Sequence, residues 1–302
     1  MCEIEDNPEE KNSSIIVIFS TWKTMVGTCV ATLPWAFQQS GLLLGLILCF
    51  TSFLISFYTC KLIIDMAGND PDYSVTLKKF YGNWGFYTGL IAPALLILGA
   101  VATFFVTMNQ VLYPMILALY IWISGKPEDS VTYKLTPGWD WFSSDYTAVI
   151  MFGILTFITQ MKNIKLFMKI SSFGVVFVIM LMLFIMYTGI DSMTNTSFKF
   201  GTMEESNATD WDGDERTLVL FYSQYPQMLG ILCSGYFLHT CSLSIVRNSK
   251  YPEKTNRDIF LGYFMVFCSY AIVGALGYIG YMGTNFSDYF IAAAAKGGNG
   301  VG

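Results

Sequence analysis

The sequence predicts an all-α integral membrane protein with interrupted helices. Only 13% of its 302 residues are charged and 54% are hydrophobic, whereas soluble domains average about 25% charged residues. The apolar residues form long runs. The first run is interrupted near its middle by Gly27 and Thr28, and it also contains Pro34 and the charged Lys23. Interrupted membrane helices are tolerated where they line a cavity or bind a solute, as in secondary transporters.

Seven apolar spans divide the chain. A span needs about 20 residues to cross the hydrocarbon core, and the fourth span, with 15 residues, could instead be re-entrant. In chain order the spans are Ile15–Phe37, Leu42–Asp65, Gly89–Trp122, Tyr146–Gln160, Leu166–Gly189, Gln227–Val246 and Ile259–Gly283. We therefore expect a short acidic cytosolic tail at 1–14, a transmembrane domain at 15–289 and a low-complexity tail at 290–302.

Charged residues in the loops predict the orientation of the chain. The loops at 160–169 and 247–258 are rich in lysine and arginine, and loops of this kind remain in the cytosol. The loop Ile190–Arg216 is strongly acidic. Alternation of the spans then places the N-terminus in the cytosol. This orientation argues against a seven-helix receptor, since such receptors begin outside, and the expected cysteine staple between outer loops is absent from the sequence.

Three N-glycosylation sequons agree with this orientation. They begin at Asn195, Asn207 and Asn285, and all three fall on the side opposite the basic loops. Each sequon alone is a weak signal because the motif is short. Their agreement with the lysine and arginine bias favours a luminal or extracellular position for all three.

The cysteine and histidine content argues against several classes of protein. Six of the seven cysteines lie inside the apolar spans, where they are expected to pack rather than to bridge. His239 is the single histidine, so the sequence offers no zinc spacing and no nucleophile–histidine–acid pattern. The net charge of −5 comes from acidic loops and suggests no nucleic-acid partner. We expect a protein that is not an enzyme and holds no metal.

The first span carries a candidate binding segment. On a helix, Lys23, Gly27 and Ala31 share one face, which should look into the protein. N–H groups freed near Gly27 and Thr28 would donate to a carboxylate, and freed carbonyls would accept from an ammonium or a cation. An amino acid carries both groups. The alternatives are a small-residue packing stripe at Gly27 and Ala31, and a Lys23 that points into a cytosolic vestibule.

The sixth span carries matching features. Ser234 and Gly235 mark a plausible unwinding point. His239 could titrate, ligate a cation or hydrogen-bond a neighbouring helix, and the last is the commoner role of a single histidine. In the third span, Asn109 lies in a polar patch and is a candidate for a substrate or ion contact, with hydrogen bonding between helices as the alternative.

Two stretches of the chain resemble the amino acid/auxin permease family. They read TWKTMVGTCVATLPWAFQQSG at 21–41 and YPQMLGILCSGYFLHTCSLSIVRNSKYPEKTNRDI at 225–259, and the first is most similar to the lysosomal branch of the family. The resemblance runs from Ile15 to Tyr281. It implies a LeuT-type fold of two inverted repeats, in which helices one and six are broken around an amino acid substrate.

The resemblance also implies roles for individual residues. Thr24, Met25, Gly27 and Thr28 match the substrate-binding segment of helix one; Ser234, Gly235 and Phe237 match the break in helix six; and His239 matches the family histidine. The implied coupling ion is Na⁺ or H⁺, with no other cofactor. The implied location is a lysosomal or vacuolar membrane, with the plasma membrane as the alternative.

The chain departs from the family pattern in two respects. The family has about eleven spans, so we expect an incomplete repeat structure with about seven of them, completed by a full-length homologue or a second subunit. Lys23 stands where sodium-coupled members carry an asparagine that helps to hold sodium. We hypothesise that the Lys23 ammonium takes the place of sodium, which would make transport sodium-independent.

These observations favour an amino acid permease that works by alternating access in the lipid bilayer. The alternative is a non-transporting amino acid sensor, or a regulatory fragment of a full-length transporter. Flux across a membrane distinguishes the two.

Overall fold

The computed structural model describes residues 12–27, 29–68, 70, 72–124, 144–160, 164–195, 197–201 and 215–280. These residues form two compact units. The first unit is drawn from 12–97 and 177–280, and the second from 98–176. The predicted tail at 290–302, most of the predicted tail at 1–14 and the sequons at Asn207 and Asn285 lie outside the described residues.

Helices make up almost all of the described chain. In order they are α1 Ser14–Met25, α2 Cys29–Ser40, α3 Leu42–Ala67, α4 Tyr73–Ser124, α5 Ser144–Thr159, α6 Ile164–Asn195, α7 Tyr225–Gly235, α8 His239–Arg247 and α9 Thr255–Gly280. A short 3₁₀ turn, Pro252–Lys254, precedes α9. Two short strands, β1 Ser197–Gly201 and β2 Glu215–Val219, lie between α6 and α7. The predicted helical class is confirmed, and the strand pair is an addition that the sequence did not predict.

Five helical segments of the described chain are long and apolar enough to cross a membrane: Leu42–Ala67, Tyr73–Val106, Gly174–Asn195, Tyr225–Arg247 and Pro252–Gly280. Together, α1 and α2 make a sixth candidate, bent by 59°. The predicted fourth span corresponds to α5, which has 16 residues. At 1.5 Å per residue it is about 24 Å long, short of the roughly 30 Å of hydrocarbon.

The third predicted span begins earlier than expected. Helix α4 starts at Tyr73 rather than at Gly89, and it is bent at Gly82, where φ is 64° and ψ is −151°. Only glycine adopts these angles at low cost. The segment before Gly82 carries the exposed Lys78 and Lys79, which explains why hydrophobicity alone did not reveal it as helix.

Helix α1 packs along α9. Its buried residues are Val17, Thr21, Trp22 and Met25, a spacing that places them on one helical face. The Trp22 indole Nε1 donates to Ser269 Oγ at 3.1 Å. A Cβ at Gly262 would lie 2.5 Å from Thr21 Cγ2, so glycine is what allows the two helices to approach there.

At one end of α9, the segment after β2 is tied to the turn between α2 and α3. Leu220 O accepts from the N–H groups of Leu43 and Leu44 at 3.1 and 3.2 Å, and Tyr222 N–H donates to Ser40 O at 2.8 Å. A Cβ at Gly41, whose φ is 83°, would lie 2.6 Å from Leu220 O. The β strands run parallel, and Ser197 pairs with Glu215.

At the other end of α9, Asn12, two residues before α1 begins, is held by the loop between α8 and α9. Asn12 N–H donates to Asn248 O at 2.6 Å, and Lys250 N–H donates to Asn12 O at 2.9 Å. We call this pair of bonds the N-terminal clip. Nearby, Arg257 Nη2 lies 2.8 Å from Oδ1 of the buried Asp258.

Candidate substrate site at two helix breaks

Both predicted interruptions are present in the first unit. Helix α1 ends at Met25 and α2 begins at Cys29, on either side of Gly27; Thr28 lies outside the described residues. Helix α7 ends at Gly235, directly after Ser234, and α8 begins at His239. We call these the first break and the second break. The sequence therefore located each break to within about two residues, a typical error for helix boundaries.

The side chain of Tyr270 links the two breaks. The Tyr270 hydroxyl on α9 lies 2.8 Å from Met25 O and 3.2 Å from Gly235 O. Met25 and Gly235 are the last residues of α1 and α7. Tyr270 is 1% exposed, so this contact lies in the interior of the unit. The breaks are thus neighbours in space, although 210 residues of chain separate Met25 from Gly235.

Sequence reasoning did not identify Tyr270. It lies in an apolar stretch of span seven that also contains Tyr263 and Tyr278. A buried tyrosine in a membrane helix usually finds a hydrogen-bond partner, but nothing in the sequence says which one. The link depends on the positions of the ends of α1 and α7 beside α9.

The predicted residues of the first break differ in their exposure. Met25 is buried, whereas Lys23 and Thr24 are exposed in the described part of the chain. The Thr24 hydroxyl donates to Ser20 O, within its own helix, at 2.7 Å. The Met25 carbonyl, and not the Thr24 hydroxyl, is therefore the group of the first break that shares the Tyr270 hydroxyl with the second break.

Gly27 does not act as a packing contact within the described residues. A Cβ built at Gly27 would meet no described atom within 4 Å. The alternative of a small-residue packing stripe requires a close neighbour at that position. Open space beside a helix break instead favours a site that a solute can enter.

The second break is densely packed. A Cβ at Gly235 would lie 2.9 Å from the Tyr270 ring and hydroxyl. Tyr236 is buried, its ring centroid lies 5.3 Å from that of Tyr270, and its hydroxyl lies 3.4 Å from Cys49 Sγ. Ser234 is exposed, and Phe237 is half-buried with its ring 6.0 Å from that of His239.

His239 connects α8 to α3. Its Nε2 lies 2.8 Å from Thr59 Oγ1. Thr59 Oγ1 is also 2.8 Å from Ile55 O, to which the hydroxyl donates. The direction of the hydrogen bond between Nε2 and Thr59 Oγ1 depends on which ring nitrogen of His239 carries the proton. This geometry favours the structural role over ion binding.

Two further candidates belong to other helices. Asn109 belongs to α4 within the second unit, and its role as a contact for substrate stays a prediction. Asn195 is the exposed last residue of α6, and its Nδ2 donates to Asp191 Oδ1 at 2.9 Å. Within the described ranges, no three His, Cys, Asp or Glu side chains are grouped to hold a metal ion.

Comparison with known families identifies the kind of protein to which these breaks belong. Residues 10–293 match the family model described as transmembrane amino acid transporter protein. The chain belongs to this family. The match covers both breaks and confirms the family resemblance of the two quoted stretches.

Individual relatives agree with the family match. The chain is 23% identical over 307 residues to neutral amino acid transporter 9 of Danio rerio, covering 88% of this chain and 54% of the relative. It is 26% identical over 320 residues to the sodium-coupled neutral amino acid transporter 9 homolog of Caenorhabditis elegans, covering 87% and 49%. Neutral amino acid transporter 9 of Rattus norvegicus is 22% identical over 305 residues. The chain thus spans about half the length of these curated relatives, which are transporters and not enzymes.

Proposed function

We propose that this chain forms the substrate-binding part of an amino acid permease that works by alternating access, with the substrate bound at the two helix breaks. The observation that carries the proposal is the contact of Tyr270 with both Met25 O and Gly235 O. Two interrupted helices that converge at one buried point are the feature expected of a secondary transporter of the LeuT type.

The ends of the four half-helices suit the two charged groups of an amino acid. The carboxyl ends of α1 and α7 carry partial negative charge, which favours an ammonium group or a cation. The amino ends of α2 and α8 carry partial positive charge and free N–H groups, which favour a carboxylate. Met25, Gly27, Gly235 and Phe237 lie at these ends, and the proposed site also includes Thr24, Thr28 and Ser234.

The proposal for the coupling ion depends on Lys23. The Caenorhabditis elegans relative is named as sodium-coupled, whereas Lys23 in this chain supplies a positive charge near the first break. We propose that the ammonium of Lys23 replaces sodium, so that uptake continues when choline replaces sodium in the medium. Loss of uptake in choline would contradict this assignment. The contact of His239 with Thr59 supports a structural role and leaves H⁺ coupling through His239 without support from the geometry.

The proposed setting is a multi-pass protein with a cytosolic N-terminus in a lysosomal or vacuolar membrane. The relatives are about twice as long as this chain. We therefore propose that further helices, from a longer chain or a second subunit, complete the transport path. A sensor or regulatory fragment remains the second candidate, because a binding site at the two breaks does not require those helices.

Flux and binding separate the two candidates. The chain is reconstituted in proteoliposomes together with the further helices of its longer form or of its partner subunit, and the uptake and the equilibrium binding of each common L-amino acid are measured. We expect uptake driven by the substrate gradient. Binding without uptake by this assembly would favour the sensor, and the absence of binding would overturn both candidates.

A matched pair of variants tests whether the breaks are the site. Gly27 and Gly230 both have no described atom within 4 Å of a built Cβ, and Gly230 lies on the exposed face of α7. We expect Gly27→Leu to abolish amino acid binding and Gly230→Leu to preserve it, with similar thermal unfolding of both variants. Equal binding by both variants would place the site elsewhere.

A further inference from the structure

The Tyr270 hydroxyl can donate only one hydrogen, but it lies within hydrogen-bond distance of two carbonyl oxygens, one at each break. Each carbonyl oxygen offers two lone pairs, whereas a tyrosine hydroxyl has one hydrogen to donate. That hydrogen serves Met25 O at 2.8 Å or Gly235 O at 3.2 Å, but not both fully at once. We call these two oxygens the carbonyl pair.

The carbonyl pair also lies where negative potential accumulates. Both oxygens belong to the last residue of a helix, and the carboxyl end of a helix carries roughly half a negative charge. The carbonyl pair is shielded from solvent, because Met25, Gly235 and Tyr270 are all buried. A neutral phenol is a weak partner for such a place, since charged donors form hydrogen bonds about twice as strong as neutral ones.

We propose that, in the absence of substrate, the Tyr270 hydroxyl occupies the hydrogen-bonding position of the substrate's ammonium group. When substrate binds, the ammonium replaces the hydroxyl as the donor to the carbonyl pair. This inference rests on the proposed function, in which an amino acid binds at the two breaks. An ammonium has three N–H donors, enough to serve both carbonyls and to donate to the tyrosine oxygen as well. The hydroxyl gives up its hydrogen bond to a carbonyl and becomes an acceptor for the incoming group.

The proposal explains why the tyrosine ring is held so closely. The ring fills the space beside the Cα of Gly235, where a Cβ would come within 2.9 Å, and it lies against the buried Tyr236. The ring is therefore fixed, and only the hydroxyl hydrogen has to reorient when the ammonium arrives. Exchange of one donor for another therefore needs no movement of the tyrosine ring.

Tyr270→Phe tests the proposal because it removes the hydroxyl and keeps the ring. In the absence of substrate, the carbonyl pair loses its donor, so the variant should unfold at a lower temperature than the parent chain. An amino acid then binds without a competing hydroxyl and relieves the unpaired carbonyls. A neutral hydrogen bond of this kind corresponds to about a 3- to 10-fold effect on an equilibrium constant, and we expect the affinity for the amino acid to rise by that factor.

Tyr263→Phe is the matched control. Tyr263 lies on the same helix, is equally buried, and stacks on Tyr236, with the two ring centroids 6.3 Å apart and an interplanar angle of 9°. Its hydroxyl donates to no backbone carbonyl of the described residues. Loss of this hydroxyl should leave amino acid affinity within about 2-fold of the parent value.

The experiment uses the purified chain in lipid nanodiscs, with isothermal titration and thermal unfolding as readouts. The probes are the L-amino acid that the parent chain binds best, its N-acetyl derivative, and NaCl alone against choline chloride. We expect Tyr270→Phe to raise affinity for the free amino acid and not for the N-acetyl derivative, which has no ammonium group. Lower or unchanged affinity for the free amino acid would overturn the proposal and leave Tyr270 as a structural link.

Two further outcomes are decisive. If the variant gains stabilisation from NaCl alone, the displacing group is a metal cation and the assignment to ammonium is wrong. If the parent chain binds none of the amino acids, the proposed function itself fails, which is distinct from failure of the variant to gain affinity.

Discussion

The first and second breaks meet at Tyr270, but the surrounding residues hold them differently. At the first break, a Cβ added to Gly27 would meet no described atom within 4 Å, and Lys23 is exposed. At the second break, Gly235 lies against the Tyr270 ring and Tyr236 is buried beside it. His239, which begins the next helix, is anchored to Thr59 on α3.

This difference suggests that the two breaks differ in how easily they change conformation. Tightly packed interiors resist small changes of shape, whereas a segment with few contacts moves at low cost. We therefore expect the second break to keep its conformation when substrate enters, and the first break to change its conformation. Three substitutions test this comparison, beginning with the one for which the largest effect is expected.

Gly235→Ala should be the most destabilising of the three changes. The added methyl group would lie 2.9 Å from the buried Tyr270 ring, and overpacking of this kind costs about 1–3 kcal/mol. Gly27→Ala is the matched control, because its added methyl group meets no described atom within 4 Å and its φ is not positive. We expect the control to change stability by less than about 0.5 kcal/mol. Thermal unfolding in detergent measures both variants, and equal effects would refute the difference between the breaks.

Thr59→Val tests the anchor of the second break. The substitution keeps the shape of the side chain and removes the hydroxyl that bonds His239 Nε2 at 2.8 Å. Loss of a hydrogen bond between these half-buried groups costs about 0.5–1.5 kcal/mol. Thr51→Val on the same helix is the control, because the Thr51 hydroxyl is exposed and bonds only carbonyls of its own helix. If Thr51→Val lowers the unfolding temperature as much as Thr59→Val, the anchor contributes nothing specific.

Ser269→Ala tests the support of the first break and should have the smallest effect. It removes the acceptor for Trp22 Nε1 at 3.1 Å, a neutral bond worth about 0.5–1 kcal/mol. Ser244→Ala serves as the control, since the exposed Ser244 hydroxyl donates only to Cys241 O in its own helix. An effect of Ser269→Ala as large as that of Gly235→Ala would show that the first break is held as firmly as the second. Thermal unfolding under the same conditions allows a direct comparison.

Most of the spans and both breaks could be predicted because each has a local cause. Long apolar runs predict membrane helices, and a glycine beside a polar residue within such a run predicts an interruption. Gly27 and Gly235 were identified in this way. The structural role of His239 was also the favoured interpretation, since a single histidine in a membrane helix more often bonds a neighbouring helix than binds an ion.

What the sequence could not predict depends on contacts between distant segments. The choice of Tyr270 rather than Tyr263 as the link between the breaks depends on where α1 and α7 end relative to α9. The pairing of β1 with β2 depends on the placement of α6 and α7, because a two-stranded pair has little stability of its own. Helix α4 bends at Gly82, where φ is positive. Because glycine adopts positive and negative φ about equally readily, the sequence does not predict this angle.

The packing of α1 along α9 has a consequence for biosynthesis. The partners of Trp22 and Met25 are Ser269 and Tyr270, which follow them by 247 and 245 residues. The N-terminal clip likewise joins Asn12 to Asn248 and Lys250. At about 5–20 residues per second, translation needs roughly 12–50 s to produce these partners. During that interval α1, with its lysine, resides in the translocon or the membrane without its native neighbours. Helix α1 is therefore made well before the residues against which it packs, and it is exposed to quality control throughout the synthesis of the helices that follow.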